Sequence, residues 1–118
     1  MTAFAREPNG GLIVTAGTRS LVHGDLIVAL AAKYKLPAIY YRRLFAAKGG
    51  LISYGTDPVS LTRQATAYVD RILKGEKPAD LPAQAPTRYE LVVNLKTAKA
   101  LGLKAPTAIL LRADDVIE

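Results

Sequence analysis

The chain has no cysteine, a single histidine and no long apolar run among its 118 residues. The absence of cysteine excludes disulfides, zinc–cysteine sites and thiol catalysis. A single histidine excludes a metal site built from two histidines of one chain. The longest uncharged apolar stretch, Leu26 to Ala32, is far too short to span a bilayer, and Met1 to Pro8 lacks the apolar stretch of a signal peptide. As written, the chain carries no export signal.

Half of the residues are hydrophobic and 22% are charged, which allows a buried core and excludes a disordered or coiled-coil chain. The length fits a single domain spanning residues 1–118. Sixteen Lys and Arg residues against ten Asp and Glu residues give a net charge of +6. Basic residues are spread from Arg6 to Arg112 with acidic residues among them, whereas a nucleic-acid site is typically clustered and interleaved with aromatic residues. We therefore expect a solvated basic surface and no nucleic-acid partner.

The first half of the chain alternates short apolar runs with helical patterns. The runs Leu12–Val14, Ala38–Tyr41 and Leu51–Tyr54 are typical of strands covered on both faces. Between them, the spacing predicts a helix from Ser20, its N-cap, to Tyr34 and a helical turn from Arg42 to Lys48. This alternation predicts right-handed βαβ units and an α/β fold, with an open, mainly parallel sheet flanked by helices.

The best-marked helix runs from Pro58 to Lys74, with Asp57 as its cap. Its apolar stripe consists of Leu61, Ala65, Tyr68, Val69 and Ile72. The segment from Glu76 to Pro86 contains three prolines and is predicted to be extended.

The last third of the chain predicts a strand at Tyr89–Val93, after which Asn94 caps a short helix that ends at Leu101. A helical turn at Thr107–Arg112 precedes a tail from Asp114 to Glu118. The acidic residues of that tail could gather a cation, but a terminal acidic cluster is more often solvated.

Catalytic patterns are absent or incomplete, so we predict no enzymatic activity, no cofactor and no metal. Ser20, His23 and Asp25 lie too close along one predicted helix to form a nucleophilic relay. The segment Gly50–Thr56 has the glycine spacing of a phosphate-binding loop but lacks its lysine. An enzyme that uses the Ser53 and Tyr54 loop would need a general base, and the sequence supplies none there.

The carboxyl ends of the first three predicted strands carry the residues best suited to a binding site, because open parallel sheets place ligands there. They are Thr15 to Thr18, Tyr41 with Arg42, and Ser53 to Gly55. Hydroxyl groups, aromatic faces and a guanidinium suit binding of a small polar or aromatic molecule. In the alternative interpretation, Tyr40 and Tyr54 are half-buried sheet residues and Arg42 is solvated.

Six consecutive blocks of the chain, in order, resemble the ABC-transporter substrate-binding protein family whose better-known members take up tryptophan and tyrosine. The blocks are Gly10–Val14, Leu30–Tyr40, Gly49–Gly55, Tyr68–Pro82, Glu90–Leu103 and Arg112–Glu118. The resemblance implies part of the C-terminal lobe of a type I periplasmic binding protein, in which two α/β lobes close on a solute and present it to an ABC permease. Periplasmic localisation and an amino-acid-like ligand are implied as well.

By the same resemblance this chain is the C-terminal part of a two-lobed solute-binding protein, and Met1 to Arg6 is the end of a helix. The helix at Pro58–Lys74 would pack on the other lobe. This lobe's ligand-binding residues would be Thr15, Thr18, Tyr41, Arg42, Tyr54 and Gly55. The family often has a Pro-Asp type sequence where this chain has Thr15-Ala16-Gly17, and the difference removes a carboxylate able to pair with a ligand ammonium.

Two alternatives remain beside this interpretation. One is a flavodoxin-like homodimeric interaction domain that has lost ligand binding, and a ligand-induced melting shift would separate it from a solute binder. The other is weak nucleic-acid binding, which would show a steep salt dependence. We expect a homodimer formed through the apolar stripe of the Pro58–Lys74 helix, with domain swapping at Glu76–Pro86 as one route to it.

Overall fold

The computed structural model describes residues 4–6 and 9–118. Of the helix end expected at Met1 to Arg6, Phe4–Arg6 forms a 3-10 turn, and residues 1–3 lie outside the described part. The chain divides into two compact units: the first comprises Met1–Gly55 and Glu90–Glu118, and the second is Thr56–Tyr89. The expectation of a single domain stays a prediction.

A five-stranded sheet organises the chain, with its strands in sequence order. The strands are β1 (Leu12–Val14), β2 (Ala38–Tyr40), β3 (Ile52–Thr56), β4 (Tyr89–Asn94) and β5 (Asp115–Ile117). The first three runs predicted from the sequence and the strand after Arg88 are therefore confirmed to within two residues.

The sheet is mixed but mostly parallel, as predicted. β1 pairs with β2, β2 with β3, and β4 with β5, all in parallel. β4 runs against β3, since Asn94 N donates to Leu51 O at 2.9 Å while Asp57 N donates to Arg88 O at 3.2 Å, the crossed pattern of an antiparallel pair. The carboxyl ends of β1–β3 and the amino ends of β4 and β5 therefore share one edge, which we call the upper edge.

The helices of the described residues are short except for α4. They are α1 (Thr18–Val22), α2 (Gly24–Lys33), α3 (Arg43–Ala47), α4 (Pro58–Leu73), α5 (Leu95–Ala100) and α6 (Thr107–Leu110). The predicted α/β alternation is thus confirmed, and α3, α4, α5 and α6 lie where the sequence places them.

The single helix predicted from Ser20 to Tyr34 is wrong, because the chain breaks at His23 between α1 and α2. Gly24 follows the break and packs on Phe45, where a β-carbon at position 24 would lie 2.8 Å from Phe45 Cε1. A glycine in the pattern weakens a continuous helix and lets the chain approach this ring. Ser20 lies inside α1 and caps nothing.

The core of the first unit lies between the first strands, α2 and α3. Its buried cluster consists of Val14, Val28, Ala31, Ala38, Tyr40 and Phe45. The rings of Tyr40 and Phe45 stack with centroids 5.2 Å apart and planes at 9°. Burying each large apolar side chain stabilises the fold by about 1.5–3 kcal/mol, so this cluster holds α2 and α3 against the sheet.

Asn94, at the end of β4, forms hydrogen bonds to α3 and α5. It is buried, and its Oδ1 accepts from Thr97 N at 3.0 Å, which confirms the predicted N-cap of α5. Its Nδ2 donates to Ala46 O at 3.0 Å, and Thr97 Oγ1 donates to Gly49 O at 2.9 Å. These bonds hold α5 against the segment that follows α3.

The predicted tail from Asp114 to Glu118 is wrong in part, because Asp115–Ile117 forms β5. Just before β5, Asp114 forms two hydrogen bonds with Leu91 of β4. Asp114 N donates to Leu91 O at 2.8 Å, and Leu91 N donates to Asp114 Oδ2 at 2.8 Å. The strand was missed because three residues beginning with aspartate show no clear alternation, and aspartate is disfavoured in strands.

The second unit is built around α4, whose cap Asp57 accepts from Val59 N at 2.9 Å as predicted. Tyr68 Oη donates to Pro82 O at 2.5 Å and holds the proline-rich segment, which contains a 3-10 turn at Pro78–Asp80 and is otherwise irregular. Along the predicted stripe, Leu61, Val69 and Ile72 are exposed. Within the described residues, no helix has the length and apolarity needed to cross a membrane.

Candidate functional site

Three of the predicted ligand residues line up across the upper edge. Val14 pairs with Tyr40 in the β1–β2 register, and Tyr40 pairs with Ser53 in the β2–β3 register. Thr15 and Tyr41 directly follow the ends of β1 and β2, and Tyr54 follows Ser53 within β3, so the three residues form a row on adjacent strands at this edge. Neighbouring strands lie about 4.8 Å apart, so the backbones of this row lie close together.

Gly55 touches the loop that carries Tyr41. A β-carbon at position 55 would lie 1.9 Å from Tyr41 O and 2.8 Å from its carbonyl carbon, so only glycine fits there. Gly55 belongs to the predicted site because it directly follows Tyr54. Its close approach to Tyr41 means that β3 and the β2–α3 loop meet backbone to backbone.

The two tyrosines of the row differ in exposure. Tyr54 lies in β3 and is 53% exposed, so the alternative expectation of a half-buried sheet residue stays open for it. Tyr41 is half-buried, with its ring centroid 5.2 Å from that of Phe45 and the planes tilted by 52°. Tyr40 is a core residue, and burial raises the pKa of its hydroxyl. Tyr54 thus presents the open aromatic surface, and Tyr41 is held by packing.

Thr15, Thr18 and Arg42 are exposed on the loops that follow β1 and β2. Thr18 is the first residue of α1, and Arg42 lies at the N-cap position of α3 without a side-chain capping bond. The structure therefore brings Thr15, Tyr41, Tyr54 and Gly55 together at the upper edge. It sets Thr18 and Arg42 on the loops that flank them.

An ion-pair network lies beside this row and was not predicted from the sequence. Arg43 Nη1 lies 2.9 Å from Glu90 Oε1, and Arg43 Nη2 contacts Asp115 Oδ2. The hydrogen bond to Glu90, and next the one to Asp115, raise the pKa of the Arg43 guanidinium above its usual value. The partners lie 47 and 72 residues away in the sequence, so no local pattern could have linked them.

This network corrects the expectation for the acidic tail. Asp115 is ion-paired and partly shielded, and Asp114 is hydrogen-bonded to β4, so neither is a simply solvated carboxylate. In the part of the chain that the structure describes, no group of three or more His, Asp or Glu side chains is arranged to hold a metal ion.

The opposite edge of the sheet carries a cavity of about 330 Å³ between α2 and α5. Apolar side chains dominate its lining, with Val28, Leu36 and Leu51 among them, and Lys35 and Lys96 at its margin. It contains none of the predicted ligand residues, so the candidate site of the upper edge and this cavity are separate features of the first unit.

The upper edge offers hydroxyl groups, one exposed aromatic ring and a guanidinium, which bind and orient a ligand. His23, the one histidine of the sequence, is exposed in the turn between α1 and α2. No pairing of a nucleophile with a base is seen among the described residues of this edge. The arrangement suits recognition of a small molecule.

The open, mostly parallel α/β sheet flanked by helices matches part of a lobe of the periplasmic binding protein fold. The finer identity follows from the sequence. Residues 9–117 match the family described as ABC transporter substrate binding protein. The chain belongs to this family, as the resemblance predicted.

Two solved structures resemble the chain closely in fold. A conserved domain protein from Vibrio cholerae is 25% identical, with a TM-score of 0.86 over 97% of this chain and 38% of its own. The ABC domain in complex with L-Trp from Streptococcus pneumoniae is 26% identical, with a TM-score of 0.86 over 98% of this chain and 39% of its own. The chain thus spans well under half the length of these two proteins.

A ligand-free, open substrate-binding protein with adhesive properties from Clostridium difficile shares the fold at a TM-score of 0.64 and 22% identity. That match covers 90% of this chain and 36% of the other. No curated protein is similar enough in sequence to count as a match.

Proposed function

We propose that this chain is the C-terminal part of the solute-binding component of an ABC-type uptake system and that it binds a small, amino-acid-like molecule at the upper edge. The proposed ligand-binding residues are Thr15, Thr18, Tyr41, Arg42, Tyr54 and Gly55. Membership of the family supports the general role. The L-Trp complex of the Streptococcus pneumoniae relative supports the ligand class.

The row of Thr15, Tyr41 and Tyr54 carries the proposal. In open parallel sheets, ligands bind outside the carboxyl ends of the strands, and Thr15 and Tyr41 directly follow β1 and β2 while Tyr54 lies beside them in β3, which supports the proposal. The exposed ring of Tyr54 provides a face on which an aromatic side chain can pack. Arg42, on the adjoining loop, offers a planar pair of donors that fits a ligand carboxylate.

We propose further that binding involves no chemical step. The proposed residues are hydroxyls, aromatic rings, a guanidinium and a glycine backbone, and none of them is a general base at neutral pH. In the family's general scheme, the solute would then be passed to an ABC permease, and binding would take place in the periplasm. The flavodoxin-like alternative predicts the same fold without ligand binding.

Titration of the chain with L-tryptophan tests the proposal. We expect saturable binding that Tyr54→Ala and Arg42→Gln each weaken about tenfold, a loss of about 1.4 kcal/mol of binding free energy. Arg63→Gln, an exposed arginine of α4 in the second unit, serves as the matched control and should leave the affinity unchanged. Binding that neither site variant weakens would contradict the proposed site, and no binding of any amino acid would favour the flavodoxin-like alternative.

We also propose that the chain forms a homodimer through α4, with exchange of β4 at the proline-rich segment as one route. None of the sixteen residues of α4 is buried, and Val69 and Leu73 are 54% and 82% exposed. Apolar surface of this kind is stabilised by covering it, at about 25 cal/mol per Å² before the cost of association. A second copy supplies a matching surface.

Light scattering after size exclusion tests the dimer. We expect a dimer that Val69→Glu converts to a monomer, because a charge in an apolar interface is costly to bury. Val69 is preferred to Tyr68 because the Tyr68 hydroxyl holds Pro82 within the unit. Ala67→Glu, at an exposed position of the same helix outside the apolar stripe, is the control for added negative charge, and a monodisperse monomer at tens of micromolar would refute the dimer.

A further inference from the structure

The loop of residues 41–43 contacts Gly55, Glu90 and Asp115, and the first two of these lie where the chain passes between the two units. The carbonyl oxygen of Tyr41 lies against Gly55, leaving no space for a β-carbon. Arg43, directly after Arg42, contacts Glu90 of β4 and Asp115 of β5. The loop that carries the proposed ligand residues Tyr41 and Arg42 therefore also contacts β3, β4 and β5 at the upper edge.

Gly55 and Glu90 lie at the two boundaries between the units. Gly55 is the last residue of the first unit before the chain enters the second, and Glu90 is the first residue after it returns. Both therefore lie at the connections between the units, and both contact the same loop. Movement of either connecting segment would pull on the residues around Tyr41 and Arg42.

We propose that Arg43 is a positioning residue of the binding site, whose ion pairs with Glu90 and Asp115 hold the Tyr41–Arg42 loop in the conformation that accepts the ligand. The inference rests on the proposed function. Arg43 itself need not touch the ligand, because its guanidinium is already engaged by two carboxylates. It acts through the loop backbone and through the strands that it joins.

The chemistry of the contact favours arginine over lysine. A planar guanidinium presents several donors in a fixed fork and can satisfy two carboxylates from different strands at once. A lysine ammonium is a single point charge and would favour one of them. The side chain of Arg43 is 49% exposed and that of Glu90 is 25% exposed, so removal of the pair leaves no buried charge and the fold should survive.

The experiment compares Arg43→Gln, Arg43→Lys and Glu90→Gln by amide NMR and by L-tryptophan titration. The matched control is Arg71→Gln, which removes a similar exposed ion pair, Arg71 with Glu76, in the second unit. We expect Arg43→Gln to weaken L-tryptophan binding about tenfold, with faster amide exchange at residues 41–43 and an unchanged melting temperature of the chain. The L-tryptophan affinity of Arg43→Lys should lie between that of Arg43→Gln and that of the unaltered chain. The affinity of Arg71→Gln should equal that of the unaltered chain.

The outcomes separate the inference from the proposed function. If the unaltered chain binds L-tryptophan and Arg43→Gln binds equally well, the inference is wrong and the proposed function stands. If the variant loses affinity while exchange at residues 41–43 stays slow, Arg43 would be a direct ligand contact, and the positioning role is wrong. If the unaltered chain binds no amino acid, the proposed function fails and the inference with it. Should Arg43→Gln fail to fold, Glu90→Gln applies the same criteria.

Discussion

Two small residues of β3 show how packing at single positions shapes the upper edge. Ser53 and Gly55 lie on either side of Tyr54 in the strand, so their side-chain positions share the face opposite to its ring. Ser53 is 1% exposed, and Gly55 has the Tyr41 carbonyl where a side chain would begin. The face of β3 opposite to Tyr54 therefore has room only for small residues at these two positions.

Gly55→Ala tests the close approach of β3 to the Tyr41 loop. Its methyl group would lie 1.9 Å from Tyr41 O, so backbone must move, and we expect a loss of about 3 kcal/mol of unfolding free energy. Gly17→Ala is the control, because the nearest atom to its added carbon is 3.9 Å away, and its cost should stay within about 0.5 kcal/mol. Denaturant unfolding measures both, and equal losses would refute the packing argument.

Ser53→Ala tests a buried hydroxyl. Within the described residues, Ser53 Oγ is the buried side-chain polar atom that has no hydrogen-bond partner. A buried polar atom without a partner is costly, so its removal should leave the unfolding free energy unchanged or raise it by up to about 1 kcal/mol. A loss of stability above about 1 kcal/mol in denaturant unfolding would mean that the hydroxyl has a partner in solution.

Among the elements, α5 depends most on one polar side chain. Asn94 makes two hydrogen bonds of 3.0 Å from a buried position, one to the start of α5 and one to the end of α3. Leu51 O also accepts from Asn94 N, so β3, β4 and both helices meet at this residue. Its loss should loosen several elements together.

Asn94→Ala should cost about 2–3 kcal/mol of unfolding free energy, because it removes a helix cap and the buried hydrogen bond from Nδ2 to Ala46 O. Asp57→Ala is the comparison, since the partly buried cap of α4 makes one capping bond and a 3.8 Å ion pair with the exposed Arg88, and its loss should cost about 1 kcal/mol. Thermal and denaturant unfolding measure both. A larger loss for Asp57→Ala than for Asn94→Ala would contradict the assigned role of the buried asparagine.

The sequence predicted elements whose signals are local. Asp57 and Asn94, as capping residues, predict the starts of α4 and α5. The apolar runs predict β1, β2 and β3, because each run is continuous and ends at a turn. The break at His23 was missed because Gly24 is required by contact with Phe45, which lies in another element. β5 was missed because its stability comes from pairing with β4 and from Asp114, not from its own composition.

The candidate site divides in the same way. The placement of Thr15, Tyr41 and Tyr54 at the upper edge could be predicted, because strand ends can be counted along the sequence and parallel strands align their ends. Arg43 could not, because its partners come from strands that follow a long excursion through the second unit. Long-range ion pairs are fixed by topology, and their residues look like ordinary surface charges in the sequence.

At the scale of the whole molecule, the chain is a mostly parallel sheet whose third and fourth strands lead into and out of a second unit. The chain belongs to the ABC transporter substrate-binding protein family, and solute binding is the function that we propose for it. The central claim is that the ligand binds at the upper edge, on Thr15, Tyr41 and Tyr54, and not in the apolar cavity between α2 and α5.

Amide chemical-shift mapping during titration with L-tryptophan tests this claim most directly, because each edge of the sheet has its own reporter residues. We predict saturable shifts at Thr15, Tyr41 and Tyr54, with Lys96 and Thr97 unchanged. The cavity lies at the opposite edge, so the two patterns cannot be confused. Shifts confined to Lys96 and Thr97, or no saturable shifts at the upper edge, would contradict the account.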